Sequence, residues 1–559
     1  MKKVFLSSLA LFCAVLPASE EIAIRFEDIA QKSGLLFTSD SSPTPNKNQP
    51  ETMVGGVALV DYDNDGYLDV YFVNGAGIPS LKKESPKYWN RLYHNNRNGT
   101  FTDVTEKAGV MGEGYGMGVA IGDYDNDGWP DIFLANVTKN QLFRNNHDGT
   151  FTDVTDKAHL SGGVLEGRKM WSIAAGWFDF NNDGYLDLFV SNCCKWEVNK
   201  DPVCGPPGMR AYCHPKNYQA LPNTLYRNNG DGTFTDVSAQ MGIDKFYGKG
   251  MGVVFADYDH DGFMDVFVAN DNAPNQLFHN LGGKSFEEVA LQAGVAYPEP
   301  GAFISGMGAD FKDIDNDGYE DLWHTAIEGE SFPLFRNSGK GDFTEITDLS
   351  GLGRATRQMS GWSNGIADFD NDGWKDLLVA RGNVHDNIAK MSLLKYEEPN
   401  TVFRNFGNGK FQDVSGEAGP DLQKAAPHRG LALGDLDNDG RIDAVVTVLN
   451  GKVEYFHNIS RNANHWILLR LAGVKSNRMG LGARVRITSD DGKQQYNHAT
   501  TSTGYACSSD PRVHFGLGSS KMVREIDITW PSGIHQTLHN VAADQILTIT
   551  EKADETASR

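Results

Sequence analysis

The sequence predicts an all-β protein, a seven-bladed β-propeller followed by a C-terminal β-sandwich-like domain, and three observations carry that prediction. A nonapeptide of the form DYDNDGYLD recurs seven times. A hairpin phrase of the form LYRNNGDGTFTDVS recurs in step with it. The last hundred or so residues carry neither, and alternate apolar with polar side chains. Each repeat reads as four strands. A glycine- and alanine-rich strand such as GMGVAIG precedes the acidic loop, an apolar strand such as LDVYFV follows it, and two further strands meet at an Asn/Asp-Gly turn. Four-strand units repeated radially are propeller blades, and small side chains suit the innermost strands, which converge on a crowded axis.

Taken in order, residues 1–18 read as a secretory signal peptide. Lys2 and Lys3 precede an apolar run from Val4 to Leu16 that is too short to span a bilayer, and small residues around Ala18 mark the cleavage site. The propeller is placed at 22–460. Its seventh unit runs through VEYFHNIS at Val453 to Ser460 and lacks a fourth strand. The missing phrase stands at the other end of the chain, in IRFEDIAQKSGL, so a strand at 24–30 is expected to close the ring and leave no blade edge open. Segment 464–550, with WILLRL, ARVRI, REIDITW and ILTI separated by Gly and Pro turns, is the sandwich, and 551–559 is a polar, disordered tail. No segment after the signal is long and apolar enough to be a membrane span.

The acidic loops have the outline of cation sites. Position one is Asp61, Asp123, Asp179, Asp257, Asp313, Asp368 and Asp435, and position three is Asp63, Asp125, Asn181, Asp259, Asp315, Asp370 and Asp437. Position five is Asp65, Asp127, Asp183, Asp261, Asp317, Asp372 and Asp439, and the closing position nine is Asp69, Asp131, Asp187, Asp265, Asp321, Asp376 and Asp443. Position seven offers a backbone carbonyl, from Tyr67, Trp129, Tyr185, Phe263, Tyr319, Trp374 and Arg441. Hard divalent ions take six to eight oxygen ligands, and alternate side chains of a tight loop converge on one point. Glycine at position six permits the sharp turn. Several carboxylates with a carbonyl make a flexible cage that suits Ca2+ better than Mg2+, so up to seven Ca2+ ions are expected. The loop lies between strands and lacks a glutamate at position twelve, so it is no EF-hand and implies no opening on binding.

The formal net charge of −22 has the same origin. Seven divalent ions would bring it to about −8, whereas without them each close carboxylate pair would repel by about 1 to 4 kcal/mol. Nothing basic is clustered, which excludes nucleic acid as a partner.

After the signal five cysteines remain, four of them in CCKWEVNKDPVCGPPGMRAYC. In an exported chain Cys193, Cys194, Cys204 and Cys213 are expected to form two disulfides that staple a long loop. A bridge between the adjacent Cys193 and Cys194 would be strained, so crosswise pairing to Cys204 and Cys213 is favoured. Cys507 is left as a buried small side chain.

Meander topology puts the acidic loops on one face of the ring with the Asn-Gly hairpins, and the long insertions on the other: Gly75 to Asn90, Asn192 to Pro222 and Arg381 to Asn400. Long loops on a rigid scaffold carry recognition. Tyr88, Trp89, Trp196 and Tyr212 in these insertions are the candidate partner-binding residues, and an extracellular protein or a glycan is the expected partner.

The DYDNDGYLD loops, the NNGDGTFTDVS phrase and the C-terminal run through GLGARVRI, GYACSSDPRVHFGLG, ITWPSG and NVAADQILTI together resemble a known combination. The repeats resemble the FG-GAP/VCBS propeller repeats of integrin α-chains. Nearly all of the mature chain is similar to the secreted cartilage acidic protein family and its bacterial relatives, in which such a propeller precedes an ASPIC/UnbV domain. The resemblance implies architecture rather than an activity.

No HExxH or P-loop is present, and the histidines are scattered. The function expected is a secreted, calcium-binding adhesion or recognition module without enzymatic activity. The alternative is a carbohydrate-active enzyme resembling a polysaccharide lyase, with its chemistry in the axial cleft.

Overall fold

A computed structural model describes residues 24–299 and 301–552. The expected signal peptide at 1–18 lies outside the described residues, as does most of the expected tail. Among the described residues seven antiparallel four-stranded units each carry one acidic loop between their first two strands. The first consists of Val57–Val60, Asp69–Phe72, Arg91–Asn95 and Phe101–Asp103, and the second of Gly116–Gly122, Asp131–Asn136, Gln141–Asn145 and Phe151–Asp153. The first strand of each unit packs on the first strand of the next, and that of the seventh returns to that of the first, so the units form a closed cycle.

The seventh unit is completed from the other end of the chain. Phe26–Asp28 pairs antiparallel with Glu454–Asn458, Phe26 opposite Asn458. Buried apolar residues fill the wedge between neighbouring sheets, as Val60, Tyr71, Val119 and Ile132 do between the first and second. After most hairpins the chain makes one helical turn, Thr105–Ala108 in the first unit, ended by Gly109 at φ 77°. The hairpin phrase conceals this turn, because four residues are too few to show helical periodicity.

Two cyclic sets of hydrogen bonds tie the units together. The position-four asparagine of a loop sits in the left-handed region and donates its amide to the position-six glycine carbonyl of the next loop. Asn64 to Gly128, Asn126 to Gly184, Asn182 to Gly262, Asn316 to Gly373, Asn371 to Gly440 and Asn438 to Gly66 all do so, at 2.7–3.1 Å. In the fourth loop His260 takes that place and faces Glu320 of the fifth at 3.4 Å. The second set runs the other way. Asn95, Asn145, Asn228, Asn280, Asn337, Asn405 and Asn458 each donate to the position-two carbonyl of the preceding loop at 2.8–2.9 Å.

The C-terminal domain is a sandwich of a four-stranded sheet and a three-stranded sheet. In the smaller one His465–Ala472 and Gln545–Thr550 run parallel. Ile467, Val485, Phe515, Ile526 and Trp530 are buried in its core. It ends later than expected: Glu551 is 2 % exposed and accepts hydrogen bonds from the backbone N–H groups of Val474, Lys475 and Ser476.

The domain is more than an appendage, because its segment 499–512 enters the propeller axis. Ser508 pairs with Ala58 of the first unit, and Val119 donates to the Ala506 carbonyl. Ser502 donates to the Val253 carbonyl, and Gly504 and Ala309 exchange hydrogen bonds. The Tyr505 N–H donates to the Ser363 hydroxyl, and Leu433 donates to that of Ser509. A Cβ on Gly118, Gly252 or Gly430 would lie within 3.0 Å of a neighbouring backbone or side-chain atom, and this is why the first strands are so rich in glycine. From the opposite end, segment 44–54 closes the axis, and the Tyr505 hydroxyl donates to the Met53 carbonyl at 2.7 Å.

Candidate functional site

Each acidic loop is scaffolded by its own carboxylates. At position one, Asp61 accepts the Asp65 N–H on Oδ1 at 2.9 Å and the Gly66 N–H on Oδ2 at 3.1 Å. Asp123, Asp179, Asp313, Asp368 and Asp435 repeat this pair. At position five, Asp65 Oδ1 accepts the Tyr67 N–H. The closing aspartates are the most deeply placed. In all seven loops Oδ2 accepts the position-two N–H at 3.1–3.3 Å, and Oδ1 accepts the N–H of the third-strand asparagine at 2.7–2.8 Å. Position nine thus fastens the loop to its own blade, while the same asparagine reaches the blade before.

These bonds leave oxygens over. Oδ1 of Asp63, Asp125, Asp315 and Asp370, all at position three, is buried and has no hydrogen-bond partner, as is Oδ1 of Asp257. One ligand oxygen from each of Asp61, Asp63 and Asp65 lies within 4.8 Å of the others, and the same is true of Asp123, Asp125 and Asp127. Oxygens on opposite sides of a bound Ca2+ stand about 5 Å apart, so the loops fit such an ion. In the third loop the Asn181 amide donates to Asp183 instead.

Burial makes the negative charge costly. It pushes the carboxyls of Asp123 and Asp179 up to about 7, that of Asp435 to about 8, and those of Asp257 and Asp313 to about 6. Asp69 and Asp265 rise to about 7, and Asp131, Asp187, Asp321 and Asp376 lie well above the usual carboxylate range, again chiefly through burial.

A residue overlooked in the sequence reading faces each of six loops. In the third strand, one position before the latch asparagine, the first, fourth and seventh units carry His94, His279 and His457. Their Nδ1 atoms lie 3.1–3.2 Å from the closing carboxylate. The second, fifth and sixth carry Arg144, Arg336 and Arg404, which pair with the carboxylates at positions three and five. The signal is legible in the hairpin phrase, where the residue before asparagine is always His or Arg.

The C-terminal domain covers this acidic face. Arg470 pairs with Asp61 at 2.9 Å, Arg484 approaches Asp257 at 3.5 Å, Lys493 donates to the Asp372 carbonyl, and Arg512 donates to the Asp435 carbonyl.

The opposite face differs from expectation in two ways. Cys204 and Cys213 are bonded to each other, and Cys193 and Cys194 are free and buried, so the crosswise pairing is corrected. The reason is local: Cys204 bridges to Ala211 in its own small hairpin, which brings Cys213 to it, whereas Cys193 and Cys194 are held at the root of the insertion beside Trp171. Cys507 is free and buried, as expected.

The aromatic residues also divide. Tyr212 is 6 % exposed and its hydroxyl faces Glu51, so it belongs to the packing that closes the axis and not to a partner surface. Trp196 is half-buried and packs edge-on against Trp171. Tyr88 and Trp89 are half-buried beside Lys87 and Arg91. The exposed apolar side chains on this face are others: Val203, Met391 and Leu393 in the insertions, and Val164, Tyr247 and Phe303 in the links between blades. A single apolar residue in a polar loop gives no periodic signal, so these positions are not legible in the sequence.

The FG-GAP-like repeat family matches residues 61–134, 123–190, 216–268 and 257–324, and the ASPIC and UnbV family matches residues 473–556. The chain is 24% identical over 545 residues to cartilage acidic protein 1 of Mus musculus, across 93% of this chain and 77% of that protein. The Homo sapiens protein of the same name is also 24% identical, across 93% and 76%. Among solved structures, an Agrocybe aegerita lectin that recognises non-reducing terminal N-acetylglucosamine is 16% identical, covering 72% of this chain and 87% of that one, with a TM-score of 0.40. The exotype rhamnogalacturonan lyase YesX is 11% identical, covering 90% and 92%, with a TM-score of 0.31. No helix among the described residues is long and apolar enough to cross a membrane.

Proposed function

Because the chain joins FG-GAP-like repeats to a C-terminal ASPIC and UnbV domain, we propose that it is a secreted, calcium-stabilised recognition module that binds an extracellular protein or glycan through its insertion face. One observation carries the choice of face. The acidic face is covered by the C-terminal domain and the axis is filled by 499–512, which leaves the insertion face with Val203, Met391 and Leu393 exposed over it. Exposed apolar side chains on long loops held by a rigid scaffold are available for contact with a partner.

The loops serve this role at a distance. Up to seven Ca2+ ions, held by positions one, three, five and nine and the position-seven carbonyls, supply the positive charge that buried carboxylates need. The orphaned Oδ1 atoms at position three support this reading. The axial cleft that an enzymatic alternative requires is taken up by Gly504, Tyr505 and Ala506, of which Tyr505 is fully buried. The test is a screen of the purified protein against a glycan array and a panel of extracellular matrix proteins. A specific signal is expected, lost in the Val203→Asp/Leu393→Asp variant and retained in Leu349→Asp, a substitution of an exposed leucine at the blade periphery. Turnover of a polysaccharide, or a signal indifferent to the insertion-face variant, would overturn the reading.

A further inference from the structure

Cys193 and Cys194 directly follow the second strand of the third blade, Asp187–Asn192, where the insertion begins. Their sulphurs lie 3.2 Å apart, and each residue is 2 % exposed. The backbone around them is fixed on both sides: the Cys193 N–H donates to the Trp171 carbonyl at 2.9 Å, Cys194 bridges to Ala220, and the Lys195 N–H donates to the Gln219 carbonyl. They belong to the same buried cluster as the aromatic side chains of Trp171, Tyr218 and Tyr505, with Asp271 and Lys249 also near Cys194. Among the described residues no third cysteine competes for them. Cys204 is bonded to Cys213, and the Cys507 thiol donates to the Tyr505 carbonyl. A chain that keeps one disulfide is exposed to an oxidising compartment.

We propose that Cys193 and Cys194 are a redox site of the exported protein, oxidised during folding to a vicinal disulfide that locks the root of the insertion. The oxidant is a disulfide-bearing thiol oxidoreductase. One cysteine, as its thiolate, attacks the oxidant's disulfide and forms a mixed disulfide, and the second then displaces the oxidant's sulphur. One S–S bond forms between Cys193 and Cys194. The oxidant's S–S bond is reduced to two thiols, which take up the two protons the cysteines give up.

Adjacent residues hold their Cα atoms about 3.8 Å apart, short of the roughly 4.4–6.8 Å of ordinary disulfides, so this bond is strained. Burial among aromatic side chains protects it from exchange once the fold is complete. The inference rests on the sulphur geometry and the neighbouring disulfide, and stands whether or not the insertion face binds a partner.

Trypsin isolates the pair. Peptide 170–195 contains Cys193 and Cys194 and no other cysteine, while Cys204 and Cys213 fall in 201–210 and 211–216. The exported full-length protein is denatured, alkylated with iodoacetamide without reductant, digested and mapped by mass. The expected result is peptide 170–195 without added label and two hydrogens lighter than the dithiol, with both cysteines labelled when reductant precedes the alkylation. Two labels on that peptide without reductant, or its covalent linkage to any other cysteine peptide, would overturn the proposal.

Discussion

The two ends of the propeller are built on opposite principles. At the acidic end every blade makes the same loop, and the loops are bonded to one another in a cycle: position-four asparagines reach forward, and third-strand asparagines reach back. At the insertion end no two connections are alike. That end is held by single contacts between unlike segments, such as Arg210 Nε to the Asn46 carbonyl, the Asn387 amide to the Arg210 carbonyl and the Gln49 N–H to Asp201. Repetition gives rigidity where charge is concentrated, and irregularity gives a distinctive surface. The axis joins the two, since Tyr505 descends from the domain on the acidic side and bonds Met53 on the other.

The most severe way to break this arrangement is at the axis. Tyr505→Asp places a charge where the residue is fully buried, and is expected to cost more than about 4 kcal/mol in urea unfolding. Wild-type stability in this variant would mean that 499–512 does not fill the channel.

The latches come next. Asn145→Ala removes donors to the Tyr62 and Pro130 carbonyls and is expected to cost about 2–4 kcal/mol, while Tyr212→Phe at the other end costs about 1 kcal/mol or less. Equal losses would erase the distinction between a cyclic network and isolated contacts.

A third test uses pH in the presence of chelator. Asp435, raised to about 8, and Asp123, Asp179, Asp69 and Asp265, raised to about 7, bind protons more readily folded than unfolded. Their stabilisation is fully present below about pH 4, the ordinary carboxylate value, and is lost progressively as pH rises to between 7 and 8. The melting temperature in chelator should therefore rise as pH is lowered from 8.5 to 6.5. In the lower part of the titration range, below about pH 6.5, the buried His324, His498 and His514, depressed to about 4, 3 and 4, oppose the trend, because the unfolded chain takes up protons that they refuse. With calcium present the rise should vanish. The smallest effect is expected from Leu393→Asp, within about 0.5 kcal/mol of wild type in stability but without the partner signal.

The same contrast decides how much was legible beforehand. The repeating end was readable, because seven in-phase aspartate loops and their hairpins announce themselves by spacing, and the displaced strand at Phe26 was found as the missing copy of a phrase. The histidine or arginine before each latch asparagine is equally periodic, but a basic residue on a strand does not by itself reveal which carboxylate it faces. What could not be read is what occurs once. The stretch GYACSSD reads as a turn of the sandwich, and only the packing of Gly118, Gly252 and Gly430 reveals it as the plug. The pairing of Cys204 with Cys213 depends on a hairpin of irregular sequence, and the burial of Tyr212 depends on segment 44–54, far away in the chain.

Whether a metal ion in each acidic loop holds the ring together is decided by a thermal melt of the purified exported protein paired with elemental analysis. Bound calcium is expected, up to seven ions per chain, with a fall in melting temperature of about 10 °C or more in chelator that is restored by adding calcium back. A protein that contains no calcium and melts at the same temperature with and without chelator would contradict a metal-held ring.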